Sequence, residues 1–463
     1  MIRCLKLTIM GVCVLFFGMA LSPICSDVVW ASSDSGSIDS TSPGSTNSQQ
    51  GSWFEEIDVH WGGRFRATGR LSWADDDTFL APVASGRLYD GSADFRLINE
   101  TFFTDWVYFE GAYELILAGG DTRRAREDLQ DIFPGFPSAP LFVGIQLNDD
   151  RRLLDLTDTI HETDSTILFQ RLDRLYLAIL PPWGSLRIGR QALTWGNGLI
   201  FNPMDLFNPF PPTAIDRDYK VGDDMAAAQF SVPEIGDLQA LYVPRRNPDT
   251  DNVEWDQSAL AGKLHVATGT TEVDIMTAKN YDDFVGGLGT TGYLGGAAWR
   301  LDATWTWVGE RREGGKDNYL SLAANMDYSW VWSGKNFYGF IEYYYNGLGT
   351  DDYEEAIVDP EITERISRGN LFVLGKNYLS AQIQVELHPL LSVFLTSINN
   401  VADPSGILQP RVVWDVRQNL QMTMGANGYW GSKGSEYGGF IIPGTDIRSK
   451  SPNNVYLWLS YYF

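Results

Sequence analysis

The sequence contains little cysteine, little histidine and no long apolar stretch outside its first residues, and each shortage excludes a class of protein. All three cysteines, Cys4, Cys13 and Cys25, fall near the amino terminus, so the rest of the chain has neither disulfides nor a thiol nucleophile. The four histidines, at 60, 161, 265 and 388, have no metal-like spacing. No motif of convergent catalytic residues accompanies them. We therefore expect no metal site, no cofactor and no enzymatic activity.

Basic residues are also scarce. Lys and Arg number 35 against 59 Asp and Glu, which gives a formal net charge of −24. Because nucleic-acid binding needs clustered Lys and Arg at the phosphates, this composition excludes a nucleic-acid partner. After the amino-terminal region no apolar run reaches the roughly 18 residues that indicate a membrane-spanning helix.

The amino-terminal region has the pattern of an export signal. Arg3 and Lys6 precede an apolar run from Leu7 to Leu21, and small residues near Ala31 offer a cleavage point. Lipidation at Cys25 is the alternative, but Ile24 stands where a small residue is expected. We predict a signal peptide over 1–31, a flexible Ser/Gly-rich periplasmic lead-in over 32–54 and one folded unit over 55–463.

The last nine residues are the most informative part of what the sequence does contain. Val455, Leu457, Leu459, Tyr461 and Phe463 alternate with Tyr456, Trp458, Ser460 and Tyr462. Neither face is charged, and a soluble protein rarely leaves so apolar a strand at an edge. A closed barrel in a bilayer has no edge and needs an apolar outer face. We expect Phe463 to be recognised by the outer-membrane assembly machinery.

The same period-two alternation recurs along the chain, for example over 57–73, 379–388 and 408–427. A soluble β-sandwich also alternates, so the connection lengths decide. Short turns near 104–105, 181–184 and 332–335 alternate with long connections near 74–91, 119–165 and 348–375. This is the arrangement of outer-membrane barrels. We predict an all-β fold: a transmembrane antiparallel up-and-down β-barrel of about 18 strands, within a range of 16–18.

Two kinds of loop are candidates for function. The connection 119–165 begins with a short predicted helix at Asp121 and either folds inward as the leading constriction candidate or lies over the barrel mouth. Acidic clusters also occur in the loops, at 75–77, 149–150, 216–224 and 351–355. Such clusters could bind Ca²⁺ or bridge lipopolysaccharide through divalent cations; the alternative is that they are solvated loop charge.

One segment carries a family resemblance. Gly189-Arg190-Gln191 is followed by Trp195-Gly196 and then by Asn202-Pro203 with Asp205. Over about residues 184–224 this resembles porin-like outer-membrane barrel proteins, including alginate-export-like proteins. The resemblance implies an outer-membrane channel and does not name a substrate. Within it, Arg190 breaks the alternation: either Gly189 forms a bulge that turns Arg190 inward, which we favour, or Arg190 lies near the membrane boundary.

Barrel closure makes a further prediction, because the last strand must pair with the first. Tyr456, Trp458 and Tyr462 would then lie beside Arg64, Arg66 and Arg70, where they could bind sugars, aromatic acids or anionic oligosaccharides. The alternative is that these side chains only pack and pair within the wall, against Asp94, Glu100, Glu110 and Glu114. The complete set of candidate channel-lining residues is Arg64, Arg66, Arg70, Glu110, Glu114, Arg187, Gln191, Glu342, Gln384, Arg411, Tyr456, Trp458 and Tyr462, with Trp195, Gly196, Asn202, Pro203 and Asp205 in the motif loop.

These observations favour a porin-like channel in the outer membrane of a Gram-negative-type bacterium. It would pass small hydrophilic solutes, sugars or organic anions, by passive diffusion. Its other expected partners are membrane lipid and lipopolysaccharide. Two alternatives remain: a non-conducting barrel that acts as a receptor or scaffold, and an exported soluble β-protein that binds carbohydrate.

Overall fold

The computed structural model describes residues 57–81, 86–132, 149–209, 211–212, 219–309 and 315–463, with the side chains of 130–132 excepted. Residues 59–463 form one compact unit. The predicted signal peptide (1–31) and lead-in (32–54) lie outside the described residues, so both stay predictions.

The described chain is built almost entirely from strands, which follow the alternation of apolar and polar residues. The strands of the first half are β1 (Asp58–Trp73), β2 (Arg87–Thr104), β3 (Val107–Gly120), β4 (Thr157–Glu162), β5 (Thr166–Ile179), β6 (Gly184–Gln191), β7 (Asp223–Val232), β8 (Gly236–Val243) and β9 (Ala259–Thr268). Those of the second half are β10 (Thr271–Asn280), β11 (Asp283–Leu294), β12 (Ala297–Trp307), β13 (Asn318–Trp332), β14 (Lys335–Asn346), β15 (Asn377–His388), β16 (Leu391–Asn400), β17 (Ser405–Arg417), β18 (Leu420–Trp430) and β19 (Asn453–Tyr462).

Eighteen of these strands form a closed antiparallel barrel, as predicted. Each strand pairs with the next along the chain, and β19 returns to pair with β1 from Arg64 opposite Tyr462 to Trp73 opposite Asn453. The short strand β4 is additional. It pairs with β5 from Thr157 to Glu162, beyond the point where the pairing of β5 with β6 stops.

Connections alternate in length around the barrel. At one end the turns are as short as the two residues Gly269-Thr270 and Gly295-Gly296. Gly295 has a φ of +63°, a left-handed conformation that two-residue hairpin turns favour and that glycine adopts without strain. At the other end lie long loops such as 192–222, 347–376 and 431–452. The predicted alternation of short turns and long loops is therefore confirmed.

The outer face of the barrel is apolar and exposed. Leu288, Ile341 and Leu457 are 49%, 51% and 48% exposed, and Trp305 and Trp414 also lie on this surface. Exposed aliphatic and aromatic side chains around a closed wall are what a bilayer requires. A soluble β-protein would bury these faces, so the exported soluble alternative was wrong.

Three helices lie in the loops. They are α1 (Asp121–Ile132), α2 (Tyr353–Ala356) and α3 (Pro360–Ser367). Asp352 caps α2 by accepting from the backbone N–H of Glu355, and Asp359 caps α3 by accepting from the N–H of Glu361. Within the described ranges, none of the helices is both long and apolar enough to cross a membrane.

Candidate functional site: a loop inside the barrel

The loop between β6 and β7, described over 192–209, 211–212 and 219–222, packs against the inner wall, and we call these described residues the inner loop. Trp195, Met204 and Phe207 form a cluster with inward-facing residues of the wall from β7 to β11, including Met225 and Met276. The rings of Trp195 and Phe207 meet edge to face with centroids 5.3 Å apart. Burial of these side chains against the wall holds the inner loop inside the barrel.

Two carboxylates of the wall hold the backbone of the inner loop. Glu342 on β14 accepts hydrogen bonds from the N–H groups of Leu199 (2.7 Å), Ile200 (3.1 Å) and Phe201 (2.7 Å). Asp302 on β12 accepts from the backbone N–H and, at 3.0 Å, from the side-chain amide of Asn197. Hydrogen bonds to charged acceptors are stronger than neutral ones, so these two residues fix the loop at defined points on the wall.

The motif residues shape the inner loop itself. Asn202 donates from Nδ2 to the carbonyl of Trp195 at 2.9 Å and closes a turn. Gly196 lies inside that turn with a φ of +87°, and a Cβ there would approach Asn202 Oδ1 to 2.2 Å. Trp195 donates from Nε1 to Gln239 Oε1 on β8 at 2.6 Å. The Trp-Gly and Asn-Pro pairs of the sequence therefore form one turn anchored to the wall, and Pro203 lies in its surface.

The other end of the inner loop reaches the far wall. The guanidinium of Arg96 on β2 lies 3.6 Å from the ring centroid of Tyr219, and that of Arg64 on β1 lies 5.4 Å from it. Phe201, near the start of the loop, stacks on Tyr344 of β14 with centroids 4.4 Å apart. Strands β2 and β14 lie nearly opposite each other in the closed order. The inner loop therefore contacts both sides of the lumen and narrows it.

Asp205 and Lys220 pair across the inner loop, and both are largely buried. Burial raises the pKa of the Asp205 carboxyl to about 6, although Lys220 acts to lower it. Burial likewise lowers the pKa of Lys220. The pair places a carboxyl that titrates just below neutral pH in the narrow part of the lumen.

The described part of the connection 119–165 contacts other loops, and its role as the leading constriction candidate stays a prediction. Its helix α1 packs through Ala125 and Leu129 against Phe79, Leu80 and Ile442 of other loops. Residues 133–148 lie outside the described ranges. The helix is amphipathic and finds its apolar partners among the loops beyond the strand ends, whereas Trp195 and Phe207 find theirs on the inner wall.

Two arginines of the first strand, Arg64 and Arg66, pair with one carboxylate of the neighbouring strand. Arg64 Nη2 lies 3.1 Å from Asp94 Oδ1, and Arg66 Nε lies 2.8 Å from Asp94 Oδ2. Arg96 lies 2.7 Å from both Glu114 and Asp173. Arg64 and Arg66 therefore pair within the wall, with Asp94 as their shared partner, and Arg64 also contacts the inner loop at Tyr219.

The predicted pairing of the last strand with the first, which we call the seam, is present. Arg64 lies opposite Tyr462, and Arg70 lies opposite Tyr456. Tyr456 and Trp458 stack on each other with centroids 4.9 Å apart, and Arg66 lies 5.4 Å from the Trp458 ring. Tyr456 and Trp458 are only 5% exposed, so their rings on the inner face are covered by neighbouring groups.

The remaining predicted residues are spread around the barrel. Glu110 accepts from the hydroxyl of Tyr176, and Glu114 pairs with Arg171 as well as with Arg96. Gln191 donates to the carbonyls of Arg187 and Met225. Gln384 borders a cavity of about 300 Å³ together with Tyr338, and the Arg411 guanidinium lies 4.5 Å from the Phe394 ring. The structure thus brings the seam arginines together, and it brings Glu342 to the motif loop, but it leaves Gln384 and Arg411 separate.

The favoured bulge at Gly189 was wrong. The pairing of β6 with β5 and β7 runs through Gly189 without a register shift. Arg190 instead lies next to the last residue of its strand, in agreement with the boundary alternative, and is almost fully buried. Its guanidinium lies 2.9 Å from both Asp149 and Asp224. Burial acts to raise the pKa of Asp149, but Arg190 and Arg152 lower it to about 2.

Several carboxylates of the acidic loop clusters form ion pairs with Lys and Arg side chains. This arrangement was not among the predictions, which were binding of divalent cations or solvated charge. Asp75 and Asp77 pair with Arg448, and Lys433 and Lys450 add further contacts to them. Hydrogen bonds from Lys433 and Arg448 lower the pKa of Asp77 to about 2. Among the residues that the structure describes, no group of three or more His, Cys, Asp or Glu side chains could hold a metal ion.

Sequence reasoning missed the partners of the inner loop. Asp302, Arg96 and Tyr344 make its decisive contacts, yet none of them belongs to a motif. The alternation of Leu301 and Ala303 with Asp302 could have placed this carboxylate on the inner face. Its loop partner, more than 100 residues away in the sequence, carries no local signal.

Between the inner loop, the wall from β10 to β15 and the loop 347–376 lies a cavity of about 490 Å³. Arg365 of α3 reaches into this region and lies 2.6 Å from Asp283 on β11. Asn370, from the same outer loop, donates to the carbonyl of Leu206 at 3.1 Å. Two loops therefore meet over the remaining space of the lumen.

Known structures share this architecture. OccAB1 from Acinetobacter baumannii superposes with a TM-score of 0.50 at 11% identity, over 89% of this chain and 97% of that chain. The fold is a porin-like barrel. A BenF-like porin from Pseudomonas fluorescens Pf-5 matches with a TM-score of 0.48 at 11% identity, over 89% of this chain and all of that chain (100%).

OccK7 (OpdD) from Pseudomonas aeruginosa matches with a TM-score of 0.46 at 10% identity, over 89% of this chain and 99% of that chain. No family model matches the sequence, and no curated protein matches it. The comparisons therefore support the porin-like barrel and do not support the narrower alginate-export-like resemblance of residues 184–224.

Proposed function

We propose that this protein is an outer-membrane channel through which small hydrophilic solutes diffuse passively. The observation that carries the proposal is the inner loop: it crosses a closed barrel with an apolar exterior and leaves a cavity of about 490 Å³ beside it. Barrels of 16–18 strands have an aqueous lumen, and inward loops set its selectivity. The proposed path runs past Asp205 and the loop 347–376.

The roles of the other predicted residues follow from this proposal. The arginine and carboxylate pairs on β1 and β2 would border the lumen and set its ion preference, since charged rings bias permeation. The exposed belt of Trp and Leu would contact lipid, and the charged long loops would face lipopolysaccharide. We further propose that Phe463, which is 42% exposed at the end of β19, is the residue that the assembly machinery reads.

A non-conducting receptor or scaffold is the second candidate, because two loops meet inside this barrel. Conductance separates the two. The full chain is purified in detergent, its folded state is checked by heat-modifiable migration on a gel, and it is inserted into planar bilayers. We expect discrete ion-conducting steps. Folded protein that inserts without conductance would refute the channel and leave the receptor.

A further inference from the structure

The cavity beside the inner loop has features of a binding site, and its chemistry differs from that of a general ion path. It extends from the loop 347–376, at Phe372, to Tyr338 near the opposite end of β14. Tyr338 also borders the neighbouring cavity of about 300 Å³. The two cavities together follow the inner face of β14 along much of its length.

The charges around this cavity compensate one another. Lys220 pairs with Asp205, and Arg365 lies 2.6 Å from Asp283 and 3.2 Å from Glu361. Arg368 pairs with Glu364 on the same helical face, and its guanidinium lies 4.0 Å from the Tyr281 ring. Among the described lining residues, each cation thus already has a carboxylate partner. An anionic solute would have to compete with those carboxylates, whereas a neutral solute would not.

Aromatic rings and neutral polar groups supply the rest of the surface. Tyr338 and Phe340 follow each other on the inner face of β14, half-buried, with ring centroids 6.4 Å apart. Thr304, Thr306 and Gln382 also line the cavity and offer uncharged donors and acceptors. A sugar ring has an apolar C–H face and a rim of hydroxyls, so it matches flat rings beside neutral hydrogen-bonding groups.

We propose that this cavity binds a neutral sugar of two to three rings during passage, a proposal that rests on the channel function above. The volume of about 490 Å³ lies within the roughly 300–1,000 Å³ of small-molecule sites. Tyr338 and Phe340 would stack on the sugar, while Gln382 and the two threonines would bond its hydroxyls. The paired arginines would hold the outer loop in place and leave the solute uncharged surroundings.

The test uses the full chain in planar bilayers, with maltose or sucrose as the neutral probe and benzoate or gluconate as the anionic probe. We expect saturable reduction of the ion current by the disaccharides and no saturable effect of the anions. The variant Tyr338→Ala with Phe340→Ala should raise the half-blocking sugar concentration by about tenfold, the effect of losing two ring contacts. Gln382→Ala should raise it less.

The matched control is Ile341→Ala with Tyr343→Ala, on the outer face of the same strand, where the residues are 51% and 38% exposed. This variant should leave sugar block unchanged. The binding proposal is overturned if benzoate blocks the current saturably and the sugars do not. It is also overturned if the sugars block the Tyr338→Ala, Phe340→Ala variant at the same concentration as wild type.

A failure of the channel function itself would show as absent ion current in folded protein. Calorimetric titration of the detergent-solubilised protein with maltose then decides the binding site separately. Heat of binding that disappears in the Tyr338 and Phe340 variant would support the site without a channel. Absence of any binding heat in wild type would overturn it.

Discussion

Glu342 offers the sharpest test of how the inner loop is held. Its carboxylate accepts from three consecutive backbone N–H groups and, at 3.2 Å, from Asn325 Nδ2. In Glu342→Ala the three N–H groups lose their acceptor in a buried place, at a cost of about 1–3 kcal/mol each. The total is about 3–9 kcal/mol. Even the lower value shifts the balance between anchored and detached loop by about a hundredfold.

The contact that remains near this point is too weak to compensate. The stack of Phe201 on Tyr344 contributes about 0.5–1.5 kcal/mol beyond its buried area. The ladders of β14 with β13 and β15 do not involve the Glu342 side chain, so the barrel itself should stay folded. We therefore expect Glu342→Ala to give larger and noisier single-channel currents with unchanged heat-modifiable migration.

The assay is single-channel recording of the variant beside Glu272→Ala. Glu272 on β10 is also a carboxylate on the wall, but it accepts a hydrogen bond from Thr291 and lines neither cavity. The control should conduct like wild type. Glu342→Ala currents identical in size and noise to those of wild type would refute the anchoring role of this carboxylate.

Three further predictions concern charge. Arg64→Ala with Arg66→Ala leaves Asp94 without these two partners, so the reversal potential in a salt gradient should shift toward cation preference. Because the pKa of Asp205 is about 6, the carboxyl is ionised above that pH and neutral below it, so anion preference should rise as pH falls from 7 to 5. Arg190→Ala removes the guanidinium that pairs with the buried carboxylates of Asp224 and Asp149, although Asp149 keeps Arg152, and should cost about 3–5 kcal/mol, seen as a lower unfolding temperature.

Each of these predictions has its own control. Asp94→Asn should shift the reversal potential opposite to the arginine variant, and equal potentials in both would contradict the wall-charge argument. Asp205→Asn should abolish the pH step, whereas a step that survives would assign it to another group. Arg187 lies on the same strand as Arg190, and Arg187→Ala should leave the unfolding temperature nearly unchanged. An equally small effect of Arg190→Ala would contradict the burial argument.

The barrel could be predicted from the sequence because its determinants are local. The alternation that sends Leu457 and Leu459 outward and Tyr456 and Trp458 inward is read directly from the chain, and the structure has the same faces. Counting the alternating runs gave the strand count, and the connection lengths separated a barrel from a sandwich, because each turn and loop is visible as a local pattern. The pairing of β1 with β19 then followed from closure.

The constriction could not be predicted because its determinants are distant pairs. Glu342 was recognised as an inward-facing residue, but its contact with Leu199 spans 143 positions of sequence. Loop length favoured 119–165 and gave no sign that Trp195 and Phe207 pack against the inner wall. Arg190 showed the same limit: its partner Asp149 lies outside its strand, so alternation alone suggested a bulge.

The central claim is that solutes pass through the space beside the inner loop, and substituted cysteines test it most directly. The chain has no cysteine after position 25, so a single introduced thiol is the only one beyond the amino-terminal region. Gln382 lines the cavity, while its neighbour Ile383 is 39% exposed on the outer face. We predict that a charged methanethiosulfonate reagent lowers single-channel current stepwise in Gln382→Cys and not in Ile383→Cys. Complete modification of Gln382→Cys, verified by mass, with unchanged current would contradict the account.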